Sequence, residues 1–319
     1  MASPDEHAPR SAFLIIYLGP LPDYFDFFAR TCLPNKDLFH WFVYTDQVTD
    51  KKTVNDAVTL VPMTFELLRQ QAIEELDIRI PVQHTRIVCD CRLLLYSLRK
   101  THEPLEEYDF IGYSDLDVLY GRIGNFLPPD MQEYVMISGH DHRPCGPFTL
   151  FNRRFLESIC AHESVRAFFE QDPGEGFYTS EAYNKKECTF MPMSGNTAKD
   201  RTAERICFAH LDESESVTAI AEQLGPVLCQ ADPLQPAMTG GINHRKAFAV
   251  WDNGRLVVQD ILGRKKEGAF FHFSRFKNRS RFKVNPAVLE KDRFGIYKYG
   301  FIPVTSSWTK LKLWATLLY

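Results

Sequence analysis

The first part of the chain alternates between short apolar runs and segments whose apolar residues recur at helical spacing. The continuous apolar runs at 12–18 and 39–46 predict two buried parallel strands, and a weaker run at 58–63 predicts a third. Apolar residues three or four positions apart predict helices at 22–32 and 64–76. Strands and helices that alternate in this way predict an α/β fold with a mostly parallel sheet.

The middle of the chain continues the same alternation. Residues 86–100 carry an apolar stripe at helical spacing, which predicts the next helix. Short apolar runs predict three more strands at 108–113, 134–138 and 147–151. Residues 153–160 are again patterned as a helix, so this part of the chain extends the α/β arrangement.

Toward the C-terminus the pattern changes from α/β to antiparallel strands. Residues 247–261 alternate between apolar and polar positions around Asn253-Gly254, a dipeptide that favours a two-residue hairpin turn. A last strand is predicted at 269–273. These segments predict a small antiparallel part added to the central sheet.

Length and charge narrow the class of protein. A chain of 319 residues suits one large α/β domain with additions. The net charge of -4 argues against a general nucleic-acid binder, which normally carries a surplus of basic residues. We expect neither a secretory signal in the polar segment 1–10 nor a membrane span in the short apolar run 12–18. The expected location is therefore the cytoplasm, where the eight cysteines would stay reduced.

Asp115 and Asp117 are the strongest candidates for chemistry in this sequence. They stand two positions apart, directly after the predicted strand 108–113, so their side chains can point to the same side. Paired carboxylates supply the hard oxygen ligands that Mn²⁺ and Mg²⁺ prefer. Such an ion can bridge to a nucleotide diphosphate and stabilise a departing phosphate. An Asp-x-Asp triplet is common by chance, and its other interpretation is a solvated turn.

Three blocks around this triplet carry a resemblance to a known family. The segment 108–127 resembles the signature of GT-A-like glycosyltransferases found in polysaccharide gene clusters, in which aromatic residues and glycine flank the Asp-x-Asp triplet. The segment 89–92 resembles the family's upstream Cys-Asp-x-Lys-Pro block, although Arg92 stands in place of Lys and Leu93 in place of Pro. Residues 138–151 resemble a downstream block of the same family.

The resemblance extends in order from about residue 12 to 275, and it implies a fold and a domain organisation. The fold would be GT-A-like and Rossmann-related, with a central, mostly parallel sheet flanked by helices. Residues 1–285 would form the catalytic domain, with a nucleotide-binding half at about 12–130 and an acceptor half at about 131–285. Residues 286–319 would form a C-terminal extension.

The resemblance also implies an activity. The protein would be a metal-dependent glycosyltransferase, in particular a hexosyltransferase, and would use a nucleotide sugar that we expect to be UDP-linked. The acceptor would be a hydroxyl of a glycan in polysaccharide or lipid-linked glycan synthesis. The sugar, the linkage and the stereochemical outcome stay open.

Two other functions stay open beside this one. A nucleotidyltransferase can share a related fold, but it usually has a basic, glycine-rich loop after the first strand, and residues 18–22 contain no Lys or Arg. An inactive glycan-binding relative would also keep the fold. Retention of the Asp pair argues against that second alternative.

The resemblance assigns further residues to the metal and to the phosphates. Asp115 and Asp117 would bind the metal together with the nucleotide diphosphate, and His272 fits the position of a late third ligand. Arg275 and Lys277 belong to a basic cluster that follows it and could neutralise phosphate oxygens. The other interpretation of His272 is an outward-facing residue of an aromatic strand.

Other polar residues are candidates for nucleotide binding. Asp46 follows the second predicted strand and would contact the nucleobase or ribose, although a turn cap is the simpler role for an Asp. Asp90 and Arg92 would face a polar ligand pocket. The alternative for Asp90 is a partly buried ion pair with Arg86, four residues before it on the same helical face.

The acceptor side of the site has its own candidates. Asp212 or Glu213, at the start of a predicted helix, would take the proton from the acceptor hydroxyl, unless it serves only as a helix cap. A polar run would shape the donor-sugar or acceptor pocket, and it contains His140, Asp141, His142 and Gly146. Residues 308–319 could form an interfacial helix that makes a peripheral membrane contact, or a terminal helix packed on the domain.

Overall fold

The computed structural model describes residues 9–80, 88, 91–139, 146–161, 227–229, 247–260, 265–277 and 279–304. Side chains are described for all of these except 227–229, 247, 260 and 275. Within this part of the chain, no helix is both long and apolar enough to cross a membrane.

The centre of the protein is a mixed sheet of eight strands. They are β1 Ser11–Ile16, β2 Phe39–Thr45, β3 Lys52–Asn55, β4 Val58–Pro62, β5 Phe110–Tyr113, β7 Met136–Ser138, β8 Thr149–Asn152 and β9 Val227–Cys229. Their order across the sheet is β3-β4-β2-β1-β5-β8-β7-β9. Strands β4, β2, β1 and β5 are parallel to one another, β8 runs against both β5 and β7, and β9 is parallel to β7. The predicted α/β class with a mostly parallel sheet is confirmed.

Helices cover both faces of this sheet, which explains why its central strands are buried at nearly every position. Helix α1 (Phe25–Cys32) packs on the face that receives Phe13 and Ile15 of β1. The opposite face receives Leu14 and Ile16 and is covered by α2 (Phe65–Leu76), α3 (Arg92–Arg99) and α4 (Arg153–Cys160). The alternation of β1 side chains between two apolar clusters makes the domain a three-layer α/β structure.

Local sequence signals fix the ends of several elements. The Thr64 hydroxyl accepts a hydrogen bond from the Leu67 amide and caps the start of α2, and Asp77 ends that helix in the left-handed region with φ 54°. Asn253 and Gly254 have φ values of 46° and 88°, as the predicted hairpin turn requires.

The C-terminal part forms a second, antiparallel sheet. It contains β10 Ala247–Asp252, β11 Arg255–Asp260, β12 Lys265–Glu267, β14 Arg293–Tyr297 and β15 Gly300–Pro303. The order of these strands is β12-β11-β10-β14-β15. The prediction that 269–273 is the last strand was wrong, because β14 and β15 follow it. These two strands lie in the segment assigned from sequence to a C-terminal extension. Phe301 of β15 stacks on Phe27 of α1 at 3.9 Å between ring centroids, so the second sheet shares a core with the first.

The direction in which successive parallel strands are added to the central sheet reverses at β1. The chain leaves β1 for β2 on one side of it, whereas β5 pairs on its other side. In open α/β sheets, ligands bind outside the carboxyl ends of the strands at such a switch point. The segment that follows β5, with its two aspartates, therefore begins at the expected binding edge.

Candidate metal centre

The turn after β5 is held by a buried serine. The Ser114 hydroxyl donates to the carbonyl oxygen of Pro147 at 2.7 Å and makes a short contact with the Tyr120 hydroxyl. Leu116 is buried in the apolar cluster beneath α1. Ser114 and Leu116 both point into the protein. Asp115 and Asp117 therefore lie on either side of the buried Leu116, and both carboxylates face the same histidine.

That histidine is His272, which reaches the aspartates through a two-stranded ribbon. Strand β6 (Val118–Tyr120) pairs with β13 (Phe270–His272) in antiparallel register, and His272 lies opposite Val118. The Phe273 amide donates to the Asp117 carbonyl oxygen at 3.0 Å and extends the ladder by one step. Val118, the first residue after the two aspartates, is thus the pairing partner of His272.

The three side chains converge closely. The Nε2 atom of His272 lies 3.4 Å from Oδ2 of Asp117 and 3.8 Å from Oδ2 of Asp115. One ligand atom from each residue falls within a group no more than 4.8 Å across. Two ligands on opposite sides of a Mg²⁺ ion would be about 4.2 Å apart. Two carboxylates and one imidazole at this spacing could hold a divalent metal ion.

Each aspartate also has a basic partner. The guanidinium of Arg92, at the start of α3, donates to Oδ1 of Asp115 at 2.5 Å and to the Gly146 carbonyl oxygen at 3.4 Å. The ammonium of Lys277, at the end of the short helix α5 (Ser274–Lys277), lies 2.8 Å from Oδ2 of Asp117. The cluster therefore contains positive charge from the protein as well as negative charge.

The charges shift the pKa values of the buried groups in the direction of ion pairing. Burial alone would raise the pKa of Asp117, but His272 and Lys277 outweigh it and hold that pKa well below its usual range. Burial would lower the pKa of His272, whereas the carboxylates of Asp117 and Asp115 raise it overall. Burial opposes the charged form of Lys277 too, yet the attraction of Asp117 raises its pKa.

Asp46 has a structural task at the same edge of the sheet. Its Oδ1 accepts hydrogen bonds from the Gly19 amide at 2.8 Å and from the Gln47 side-chain amide at 2.7 Å. The bonds from Gln47 and Gly19 lower the pKa of the carboxyl. Gly19 has a φ of 96°, so the bond fixes a turn that favours glycine. The turn-cap interpretation thus describes the contacts of Asp46, which ties the end of β2 to the end of β1.

Apart from Asp46, the site residues predicted from the sequence fall into three groups. The structure brings together Asp115, Asp117, His272, Arg92 and Lys277, and Gly146 joins them through its carbonyl oxygen. Arg275 lies in α5, but its side chain is not described. The remaining candidates lie outside the described residues, and they are Asp90, His140, Asp141, His142, Asp212 and Glu213.

Sequence reasoning missed two features of the cluster. It did not pair Arg92 with Asp115, because 23 positions separate them and only the fold brings α3 to the end of β5. It also missed Tyr24, which lies buried beside Lys277 and has its pKa raised first by burial and then by the charge of Asp117. Tyr24 sits among apolar residues of a predicted helix, and no local signal distinguished it from core.

Comparison with known proteins identifies a family whose function is unknown. Residues 13–305 match the model of the family described as a family of unknown function, DUF6625. No curated protein matches the chain.

Proposed function

We propose that this chain, which belongs to the family of unknown function DUF6625, is a metal-dependent glycosyltransferase of the GT-A-like kind. It moves a sugar from a UDP-linked nucleotide sugar to a hydroxyl of a glycan acceptor. The observation that carries the proposal is the convergence of Asp115, Asp117 and His272 at the carboxyl end of β5. This cluster unites the only three residues that the sequence analysis proposed as metal ligands.

The position of the cluster supports a nucleotide as part of the substrate. The parallel strands β4, β2, β1 and β5 follow the order 3-2-1-4 when they are renumbered along the chain, which is the first part of the order of dinucleotide-binding sheets. The cluster lies at the switch point of this order, and the Asp46–Gly19 turn lies at the same edge. A nucleoside placed across the ends of β1 and β2 would put its diphosphate toward the aspartates.

Each side chain of the cluster would have its own role in the reaction. Asp115, Asp117 and His272 would hold Mn²⁺ or Mg²⁺, which acts as a Lewis acid on the leaving diphosphate when it is bound. Arg92 positions Asp115 through the hydrogen bond to Oδ1. Lys277 places a positive charge beside Asp117, where it can pair with a phosphate oxygen. The acceptor hydroxyl needs a base, and Asp212 or Glu213 stays our prediction for that role.

A thermal-shift screen of the full chain tests the proposal. UDP-, GDP-, CMP- and dTDP-sugars are added with and without Mn²⁺ to the wild type and to Asp115→Ala and Asp117→Ala. We expect a UDP-sugar and Mn²⁺ together to stabilise the wild type, by about 2.7 kcal/mol at a hundredfold excess over Kd. Both variants should fold and lose this metal-dependent gain. Asp130→Ala is the matched control, because Asp130 is exposed.

The outcomes separate the alternatives. If Asp115→Ala and Asp117→Ala bound UDP and Mn²⁺ as well as the wild type does, the proposal would be wrong. Release of pyrophosphate from a nucleoside triphosphate would support a nucleotidyltransferase instead. No stabilisation by any nucleotide, with or without Mn²⁺, would favour an inactive relative.

A further inference from the structure

Lys277 contacts the same carboxylate oxygen of Asp117 that faces His272. Its ammonium contacts Oδ2 of Asp117 at 2.8 Å, and the same oxygen faces Nε2 of His272 at 3.4 Å. A divalent ion held by His272 and by this oxygen of Asp117 would lie between those two atoms. The ion and the ammonium therefore compete for one carboxylate oxygen.

The charge balance of the cluster makes this competition costly for a free ion. The two carboxylates already face the guanidinium of Arg92 and the ammonium of Lys277, so the protein supplies its own neutralising charge. A divalent ion that entered alone would add two positive charges to a largely buried site that already holds two cationic side chains. A diphosphate that entered with the ion would restore the balance.

Lys277 is better suited than Arg92 to change partners. The Lys277 side chain is 30% exposed, whereas that of Arg92 is 12% exposed and also donates to the Gly146 carbonyl oxygen. A lysine ammonium on a flexible stem can move to a nearby anion without losing a fixed fork of hydrogen bonds. Arg92 would stay on Asp115 while Lys277 leaves Asp117.

We propose that Lys277 couples the binding of the metal ion to the binding of the diphosphate. The ion alone binds weakly because it must displace the ammonium from Asp117, and a diphosphate that arrives with the ion gives the displaced ammonium a new partner. This inference rests on the proposed function, since it concerns the same metal site. It predicts that the metal ion and the diphosphate bind together.

The test measures Mn²⁺ binding to the full chain by electron paramagnetic resonance of the free ion, with and without inorganic pyrophosphate. The affinity of pyrophosphate for Mn²⁺, measured without protein, enters the fit. Lys277→Met removes the ammonium and keeps an apolar stem, whereas Lys277→Arg keeps the charge. Lys291→Met is the matched control, because Lys291 is exposed and the variant has the same change in net charge.

In the wild type, pyrophosphate should raise the Mn²⁺ affinity about 5- to 150-fold, the range typical of coupled sites. In Lys277→Met, Mn²⁺ alone should bind about fivefold more tightly, and the gain from pyrophosphate should shrink by the same factor. Lys277→Arg should keep most of the coupling, and Lys291→Met should match the wild type.

Equal Mn²⁺ affinities in the wild type and Lys277→Met, with the same gain from pyrophosphate, would overturn the role of Lys277 and leave the metal site in place. Absence of Mn²⁺ binding in every folded protein, with or without pyrophosphate, would overturn the proposed function as well. If Lys277→Met does not fold, the test rests on measurements of the wild type. Mn²⁺ must then raise the pyrophosphate affinity by the same factor, because coupling is reciprocal, and a factor of one refutes the inference.

Discussion

Replacement of Glu103 by leucine should destabilise the protein strongly, because Glu103 neutralises a buried arginine. Its carboxylate accepts two hydrogen bonds from Arg99, at 3.0 Å and 2.9 Å, and one from the Tyr44 hydroxyl at 3.2 Å. The side chains of Arg99 and Glu103 are only 8% and 3% exposed. Removal of one partner of such a pair typically costs about 3–5 kcal/mol, since the other charge stays buried without compensation. The Gln71 side chain, which also accepts from Arg99, keeps the expected loss near the lower end, about 3 kcal/mol.

Urea unfolding followed by circular dichroism measures this loss, and a double-mutant cycle tests its cause. If the cost comes from the uncompensated charge, Arg99→Met combined with Glu103→Leu should recover much of the stability lost in either single variant. The exposed pair of Lys36 and Asp56, 2.8 Å apart, supplies the control, and Asp56→Asn should change stability little. Additive losses in the double variant would refute the reasoning, because they would show that packing and not charge dominates at this position.

Two further predictions follow from the described residues. Gly112→Ala would place a Cβ atom 1.9 Å from the Thr149 carbonyl oxygen, so urea unfolding should show a loss of about 3 kcal/mol, whereas Gly124→Ala, whose Cβ meets only the end of Leu38 at 3.1 Å, should lose less. Burial, and then the charges of Lys51 and Arg10, lower the pKa of His40 to about 4. The unfolded chain therefore takes up the proton first, and His40 should reduce stability as the pH falls from about 6.5 to 4, by about 1–2 kcal/mol after allowance for the ring's partial exposure. The slope of unfolding free energy against pH should decrease in His40→Gln, and an unchanged slope would contradict the assignment.

The fold was predictable wherever local pattern decides structure. The apolar runs of β1 and β2, the capping Thr64 and the Asn253-Gly254 turn each carry their signal within a few residues. Strands β14 and β15, which were missed, form a hairpin of short runs, and only β14 pairs with the distant β10. Their place in the second sheet depends on the long-range pairing of β14 with β10 and on the packing of Phe294 and Phe301 against Phe27.

The candidate site was predictable in part, for the same reason. Asp115 and Asp117 stood out because they follow a buried strand directly, and His272 stood out only through the resemblance and its basic neighbours. The contact of Arg92 with Asp115 joins residues from two elements and has no local signature. Residue types that suit a chemistry can be recognised in a sequence, whereas the partners that hold them in place emerge from the packing of the elements.

The register of β6 and β13 connects the fold to the proposed chemistry. Side chains alternate across a strand, so a slip of one residue in this ribbon would turn His272 away from the aspartates and bring Phe271 or Phe273 toward them. The aromatic neighbours oppose that slip, since Phe270 stacks on Phe148 with 5.2 Å between ring centroids and Phe273 contacts the Tyr24 ring edge to face at 5.1 Å. Burial of these rings therefore favours the single register in which the histidine meets both carboxylates. The apolar packing of the ribbon and the assembly of the polar cluster are consequences of the same pairing.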